Sequence, residues 1–282
     1  MSDMAPLQDL FDATTGEDLP LPSALASLYG PFRASQPSAR PHVVGNFVAS
    51  LDGVVSLGIP GKAGGGEISG FNLHDRMVMG LLRATADAVV IAAGTLRASS
   101  ANHVWTADYI YPQLADAYRE LRTRLGKPEP PLNVVVTGSG DIDLERRLFR
   151  SGAVPSLIVT TATGARRLRD RVLPPSARVE VAAKEAPLSA QVVLDAVDRA
   201  RKSALVLVEA GPRLMSDFFA ERLLDELFLT LAPQVAGRDC GLERPGLVSG
   251  KLFAPDHPVW GTLVNLKRGG DHLFLRFAFA NP

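Results

Sequence analysis

The chain carries one cysteine, Cys240, in 282 residues, which excludes an intrachain disulfide and any cysteine-rich zinc site. Net charge is missing too: 30 basic and 30 acidic residues cancel. That balance argues against nucleic acid or an anionic membrane as the main partner. No apolar run approaches the roughly 20 residues of a membrane span. The start Met1-Ser2-Asp3-Met4 has neither the basic residues nor the apolar core of a secretory signal, so the expectation is a cytoplasmic protein with no membrane contact. No Gly-x-Gly-x-x-Gly opens a helix after the first strand, so the standard dinucleotide fingerprint is lacking. The glycine run Gly61–Gly66 lacks a Gly-Lys-Ser/Thr ending, and no Gly-x-Ser-x-Gly elbow anchors a hydrolase triad. His42, His74, His103, His257 and His272 show no paired metal spacing, so no metal site is expected.

What is present is core material: 46% of residues are hydrophobic and 21% charged, the balance of a folded globular protein. Residues 1–41 read differently from the rest. Pro6, Pro20, Pro22, Pro31, Pro37 and Pro41 break them up, leaving one short helical segment at Ser23–Tyr29. An arm that wraps over the main domain or a partner subunit is expected, with the compact domain spanning 42–282. From His42 onward strands and helices alternate: strand His42–Ser50, helix Asn72–Thr85, strand Ala88–Ala92, helix Tyr111–Leu125, strands Asn133–Val136 and Ser156–Thr160, helix Ala165–Val172, strand Arg178–Val181 and helix Ser189–Arg201. Strand Leu205–Glu209, helix Arg213–Glu221 and strand Leu227–Ala232 follow. A hairpin of Val259–Leu266 and His272–Phe279 closes the chain. Repeated strand–helix–strand units imply a mostly parallel sheet covered by helices on both faces, with an antiparallel C-terminal edge.

The densest signal is Leu205–Phe219. An apolar strand runs into Glu209, then Gly211, then Pro212, which suits a first helical position. Such a turn presents unpaired helix-start amides, a seat for phosphate, beside a carboxylate. In an open α/β sheet the ligand crevice lies outside the carboxyl ends of the strands. There Asp52-Gly53, Gly94-Thr95 and Glu209–Asp217 converge.

Five segments in order carry a resemblance: Ala49-Ser50-Leu51-Asp52-Gly53; Leu82-Arg83-Ala84 with Asp87-Ala88-Val89-Val90; Ala93-Gly94-Thr95; Val208-Glu209-Ala210-Gly211-Pro212; and Leu224-Asp225-Glu226-Leu227 with Leu231-Ala232-Pro233. From about His42 onward the chain resembles the reductase domain of the bifunctional riboflavin biosynthesis deaminase-reductase, whose fold is dihydrofolate-reductase-like. The deaminase half needs a His-x-Glu and a Pro-Cys-x-x-Cys zinc site; neither is in this sequence, so a stand-alone reductase is implied. The resemblance assigns NADPH to Thr95, Ser99 and the turn Gly211, Pro212, Arg213, Leu214, Met215 and Ser216. It assigns the substrate to Arg83 and Glu209, with Glu209 and Asp52 in the chemistry. Two readings of Asp52 stand, a catalytic residue and a turn residue bonding its own backbone. Arg83 also reads as a solvated cation near a helix C-terminus, and Thr137-Gly138-Ser139 as a simple turn or a seat for the cofactor's 2′-phosphate.

The sequence departs from the family's pattern in three places. Arg97-Ala98-Ser99-Ser100 replaces an Asp-Asp-Pro, Glu67 stands where a tryptophan is usual, and no arginine for the substrate phosphate follows near Trp105-Thr106. The implied reaction is NADPH-dependent reduction of 5-amino-6-(5-phosphoribosylamino)uracil, with hydride added to the open-chain sugar imine. The departures keep two alternatives open: a same-fold reductase of another heterocycle such as a dihydrofolate-like pterin, and a non-catalytic nucleotide-binding module. Leu263, Leu266, Leu273, Leu275, Phe277 and Phe279 give the hairpin an apolar surplus, which implies an edge covered in a homodimer.

Overall fold

A computed structural model describes residues 4–34, 40–59, 62–239 and 241–280; Cys240 and Gly61 lie outside them. The arm contributes β1 (Gln8–Asp12), β2 (Glu17–Asp18), α1 (Ser23–Tyr29) and β3 (Arg33–Ala34). Next, β4 (His42–Ala49) is joined through α2 (Gly65–Ser69) and α3 (Leu73–Thr85) to β5 (Ala88–Ala92). Then α4 (Ala93–Ala98), α5 (Ala107–Ile110), a 3-10 turn (Pro112–Leu114) and α6 (Ala115–Arg124) lead to β6 (Leu132–Thr137). The chain continues through α7 (Arg147–Arg150), β7 (Ser156–Thr161), α8 (Ala162–Arg169), β8 (Ala177–Ala183), α9 (Ala190–Ala200) and β9 (Leu205–Val208). It ends with α10 (Pro212–Ala220), β10 (Glu226–Leu231), β11 (Gly261–Gly269) and β12 (His272–Phe279).

The main sheet runs β1-β11-β12-β10-β4-β9-β5-β6-β7-β8. From β10 to β8 every neighbouring pair is parallel, while β12, β11 and β1 add antiparallel ladders at one edge. Burial explains the parallel part: β6 and β7 are buried at every position, and their central residues, Val134–Val136 and Leu157–Val159, are apolar on both faces. Side chains of α3, α6, α7, α8 and the arm pack on one face; those of α9 and α10 pack on the other. The helix starts are specified locally, with the Asn72, Thr161 and Ser189 side chains each accepting from an amide of the first turn. Helix α10 lies close because β4 offers Gly45, whose missing Cβ would stand 3.0 Å from the Met215 methyl carbon. No described helix is long and apolar enough to cross a membrane.

Three local expectations change. Gly94-Thr95 is the first turn of α4 rather than a loop closing β5. The helix expected from Tyr111 starts at Ala115, because Pro112 opens a separate 3-10 turn. The helix expected at Ala165–Val172 starts at Ala162, capped by Thr161. The arm is built into the fold: Leu7, Leu25, Tyr29 and Phe32 are at most 7% exposed and belong to the same core as α3 and β5. Its strand β1 pairs with β11, so the hairpin edge expected to need a symmetry mate is covered from within the chain.

Candidate active site

The chain leaves β4 for β5 through α3 on one face, and leaves β9 for β10 through α10 on the other. Strand β9 lies between β4 and β5. The order therefore reverses here, and the crevice lies at the carboxyl ends of these strands. Parallel register sets Gly45 opposite Val208, so Asn46 and Glu209, one residue on, stand level at its floor.

Glu209 is met from both sides. The Arg83 guanidinium of α3 donates to Oε2 at 3.0 Å from Nε and 2.7 Å from Nη2, and Asn46 Nδ2 donates to Oε1 at 3.2 Å. A further Arg83 nitrogen, Nη1, donates to the Thr106 carbonyl at 3.3 Å. Arg83 is 1% exposed, so it is no solvated helix-end cation. The two residues expected to meet substrate are brought together, and they are each other's counterion.

A second carboxyl lies nearer the mouth. Thr230 on β10 pairs with Val48, two residues beyond Asn46, and its side chain and that of Ser69 stand close to the Asp75 carboxyl. Burial pushes Asp75 above the usual carboxylate range, against these two hydroxyls and the His272 ring; the Glu209 charge pushes the same way. In sequence, Asp75 is an ordinary first-turn acid after the cap Asn72, and nothing marks it as buried.

Asp52 behaves in the opposite way. Its carboxylate accepts from Ser50 Oγ at 2.6 Å, the Ala236 amide at 3.0 Å and the Gly237 amide at 2.8 Å. These bonds, the Ser50 hydroxyl first, lower its pKa to about 2. A group so held has no proton to give near neutrality. The turn reading fits this geometry: Asp52 ties the loop after β4 to the loop after β10. Because its pKa lies below the ordinary value of 3.8, the tie is complete above that pH and is lost as pH falls through about 2.

At the starts of α4 and α10, a Cβ built on Gly211 would meet, among the described residues, only Thr95 Oγ1, at 3.8 Å, so the two helix starts are adjacent with open space between them. Pro212 has no N–H, and no side chain caps the amides that follow it, unlike those of α3, α8 and α9. Arg213 is exposed beside them. Uncapped amides with a cation nearby fit the phosphates of a dinucleotide. The rest of the turn faces inward. Leu214 and Met215 are buried. Ser216 Oγ donates to the Pro212 carbonyl at 2.7 Å and accepts from the Ser249 amide at 2.8 Å, fastening the loop after β10. Ser99 is engaged as well: its hydroxyl donates to the Leu96 carbonyl at 2.7 Å and accepts from Arg146 at 3.3 Å. Thus Met215 and Ser216 offer no side chain to a cofactor, and the Ser99 hydroxyl is satisfied within the chain. The Thr137-Gly138-Ser139 segment is a satisfied turn, with Thr137 Oγ1 accepting from the Gly140 amide at 3.1 Å and Ser139 Oγ from that of Asp141 at 3.2 Å. A cavity of about 340 Å³ lined by Leu132, Val154, Ser156 and Arg178 opens at the other end of the sheet, away from these groups.

A family profile described as the RibD C-terminal domain matches residues 41–260. Among solved structures, a pyrimidine reductase-like protein from Corynebacterium diphtheriae is similar over 86% of this chain and 93% of its own, with 21% identity and a TM-score of 0.67. Acinetobacter baumannii RibD is similar over 86% of this chain and 58% of its own, at 18% identity and a TM-score of 0.58. The Saccharomyces cerevisiae riboflavin biosynthesis reductase Rib7 is similar over 88% and 93%, at 14% identity and a TM-score of 0.53. No curated protein matches the chain. At these identities the likeness shows the fold alone, the mostly parallel α/β sheet with an antiparallel C-terminal edge that the sequence implied.

Proposed function

Because the chain belongs to the RibD C-terminal domain family, we propose that it is an NADPH-dependent pyrimidine reductase of the riboflavin biosynthesis type. On this reading it converts 5-amino-6-(5-phosphoribosylamino)uracil to its ribitylamino form. The observation that carries the reading is the juxtaposition at one strand-order reversal: uncapped amides at Gly211–Leu214 beside Thr95, and the buried Arg83–Glu209–Asn46 network next to them. Thr95, Gly211 and Arg213 hold NADPH, which supplies the hydride when bound. Arg83 and Glu209 orient the open-chain sugar imine, whose first carbon takes the hydride while its nitrogen takes a proton. Holding donor and acceptor carbons about 3–3.5 Å apart is the protein's main contribution. The nicotinamide absorbance, followed with the ribosylamino-pyrimidine phosphate and in parallel with dihydrofolate, tests the reading. Turnover of dihydrofolate alone would favour the other-heterocycle alternative, which the substituted Arg97–Ser100 segment keeps in play.

Asp75, rather than Asp52, supplies the proton in this account, since burial favours its protonated form and hydrogen bonds to Asp52 favour the ionised one. A protonated acid is lost as pH rises through its pKa. Asp75→Asn is therefore expected to lower kcat about 100-fold or more and to remove the alkaline limb of its pH profile, whereas Asp52→Asn leaves that limb in place. An unchanged limb in Asp75→Asn would reassign the proton.

The protein is a homodimer on the same reading, and the surface that carries it is a sheet face rather than the hairpin edge. Register lines up Phe11, Leu266, Leu275, Leu229 and Phe47 in one row across β1, β11, β12, β10 and β4. Phe11 is 44% exposed and the other four are half-buried. Contiguous apolar surface of this kind marks an interface. Light scattering is expected to give a dimer mass for the native chain and a monomer mass for Leu275→Lys; a monomeric native chain would contradict the assignment.

A further inference from the structure

The hairpin turn at Gly270, with φ +60°, brings His272 back opposite Gly269 and against the start of α3. There the ring's Nε2 stands 3.0 Å from the Ser69 carbonyl, and its Nδ1 stands 3.1 Å from Asn72 Nδ2. A carbonyl only accepts, so Nε2 carries a proton and donates to it. The Asn72 amide is fixed from its other end. Its Oδ1 accepts from the Asp75 amide at 3.1 Å as the cap of α3, which leaves its NH2 group to face the ring. An amide NH2 only donates, so Nδ1 accepts through its lone pair. The two bonds form together only with the neutral Nε2–H tautomer. An imidazolium would set N–H against N–H across that 3.1 Å contact. Turning the Asn72 amide to relieve the clash would take the cap away from Asp75.

Asp75 sits inside this frame. Its backbone amide is bonded to the same Asn72 side chain that meets the ring. Ser69 accepts from the ring through its carbonyl, and its side chain stands close to the Asp75 carboxyl. That carboxyl is buried, and a charged ring beside it would favour the carboxylate. Other charged groups reach the pair from several elements. Glu209, after β9, acts on Asp75 in the opposite direction and is paired with Arg83. On α3, His74 Nε2 donates to the Ala5 carbonyl at 2.8 Å, and Arg76 lies over the Phe71 ring at 5.4 Å. In the hairpin turn Arg268 and Asp271 lie 3.8 Å apart, and α2 carries Glu67.

We propose that Asn72 and His272 are positioning residues for the Asp75 proton: the Asn72 amide holds the His272 ring as a neutral Nε2–H donor, and the neutral ring leaves the buried carboxyl protonated. Residue type supports this. Asparagine is the cap residue that accepts through one atom and donates through another, whereas serine and threonine have a single hydroxyl and aspartate has no donor. The inference rests on the proton-donor reading of Asp75 for its catalytic meaning; the state of the ring and its hold on the carboxyl stand apart from that reading.

Nitrogen NMR of the full-length protein with labelled histidine reads the ring, and carbon NMR with labelled aspartate reads the Asp75 carboxyl, both without substrate. At neutral pH His272 is expected to show a protonated Nε2 and an unprotonated Nδ1. Asn72→Ser keeps a cap but withdraws the donor, so about a quarter of its rings should carry both protons at pH 7, as for an ordinary histidine of pKa about 6.5. His272→Arg places a fixed cation beside the carboxyl. It is expected to lower the Asp75 titration midpoint by about one unit or more, about a tenfold loss of proton affinity, and to move the alkaline limb of kcat to lower pH with it. His272→Gln keeps a neutral donor for Ser69 and should restore both towards the wild type. A wild-type ring that is charged, or protonated on Nδ1, would overturn the inference, and so would a tautomer unchanged in Asn72→Ser. An Asp75 midpoint unmoved in His272→Arg would do the same; if that variant does not fold, the ring's state in the wild type and in Asn72→Ser decides. A lowered midpoint with the alkaline limb left in place would keep the clamp and remove Asp75 as the proton donor.

Discussion

Replacing Glu209 by alanine is expected to abolish turnover and to destabilise the fold by about 3–5 kcal/mol, a large part of the roughly 5–15 kcal/mol that holds a domain together. Arg83 is 1% exposed. Without Glu209 its guanidinium keeps, among the described residues, only the Thr106 carbonyl at 3.3 Å, and an unpaired buried charge cannot recover its lost hydration. Glu209→Gln keeps an acceptor for Asn46 but removes the countercharge, so it should fall between. The double variant Arg83→Met, Glu209→Leu separates the two roles. Replacing both members of a buried pair by apolar groups of similar volume is often nearly neutral for stability, so this variant should unfold near the wild-type urea midpoint and still be inactive. A double variant that kept turnover would remove Arg83 and Glu209 from the substrate site. A Glu209→Ala protein with an unchanged midpoint would show that water reaches the pair.

Deleting residues 1–34 is expected to leave a chain that is largely unfolded or insoluble at room temperature. The deletion removes Leu7, Leu25, Tyr29 and Phe32 from the core. At about 1.5–3 kcal/mol for each buried side chain, these four alone approach the whole stability of a domain. It also strips two buried cations. Lys267, 1% exposed, loses its ion pair with Asp9 and the Tyr29 ring 4.8 Å away. Arg276 keeps Glu226 at 2.7 Å but loses the Phe32 ring and the Arg33 carbonyl. Finally, β11 loses β1 and becomes a long unpaired edge, a template for aggregation. Circular dichroism and sedimentation check this. A soluble truncated protein with a native melting midpoint would mean that the arm decorates the fold without holding it.

Local signals were legible where short-range physics decides. Ala88–Ala92 reads as a strand from its apolar run, Asn72 as a cap from its position before the Leu73–Thr85 stripe, and Pro212 as a helix start; all three stand in the structure. Long-range pairing was not legible. Gln-Asp-Leu-Phe-Asp at Gln8–Asp12 is exposed at every position and has no alternation to mark it as a strand; only β11, from the far end of the chain, makes it one. The site divides in the same way. The family resemblance brought Glu209, Arg83, Thr95 and Gly211 to one crevice. It assigned Met215 and Ser216 to the cofactor, although helical periodicity turns both side chains inward. Asp75 lay beyond reach of sequence reasoning, since burial and tertiary juxtaposition, rather than residue type, give it its chemistry.

The central claim is hydride transfer to the ribosylamino-pyrimidine phosphate, and one labelling measurement addresses it directly. The protein is incubated with that substrate and NADPH deuterated at the nicotinamide C4, and the product is examined by mass spectrometry and NMR. The account predicts a ribitylamino product carrying deuterium at the first carbon of the sugar chain, formed by the wild type and absent with Glu209→Ala. An unlabelled product, or no product from a protein that binds both molecules, would contradict it.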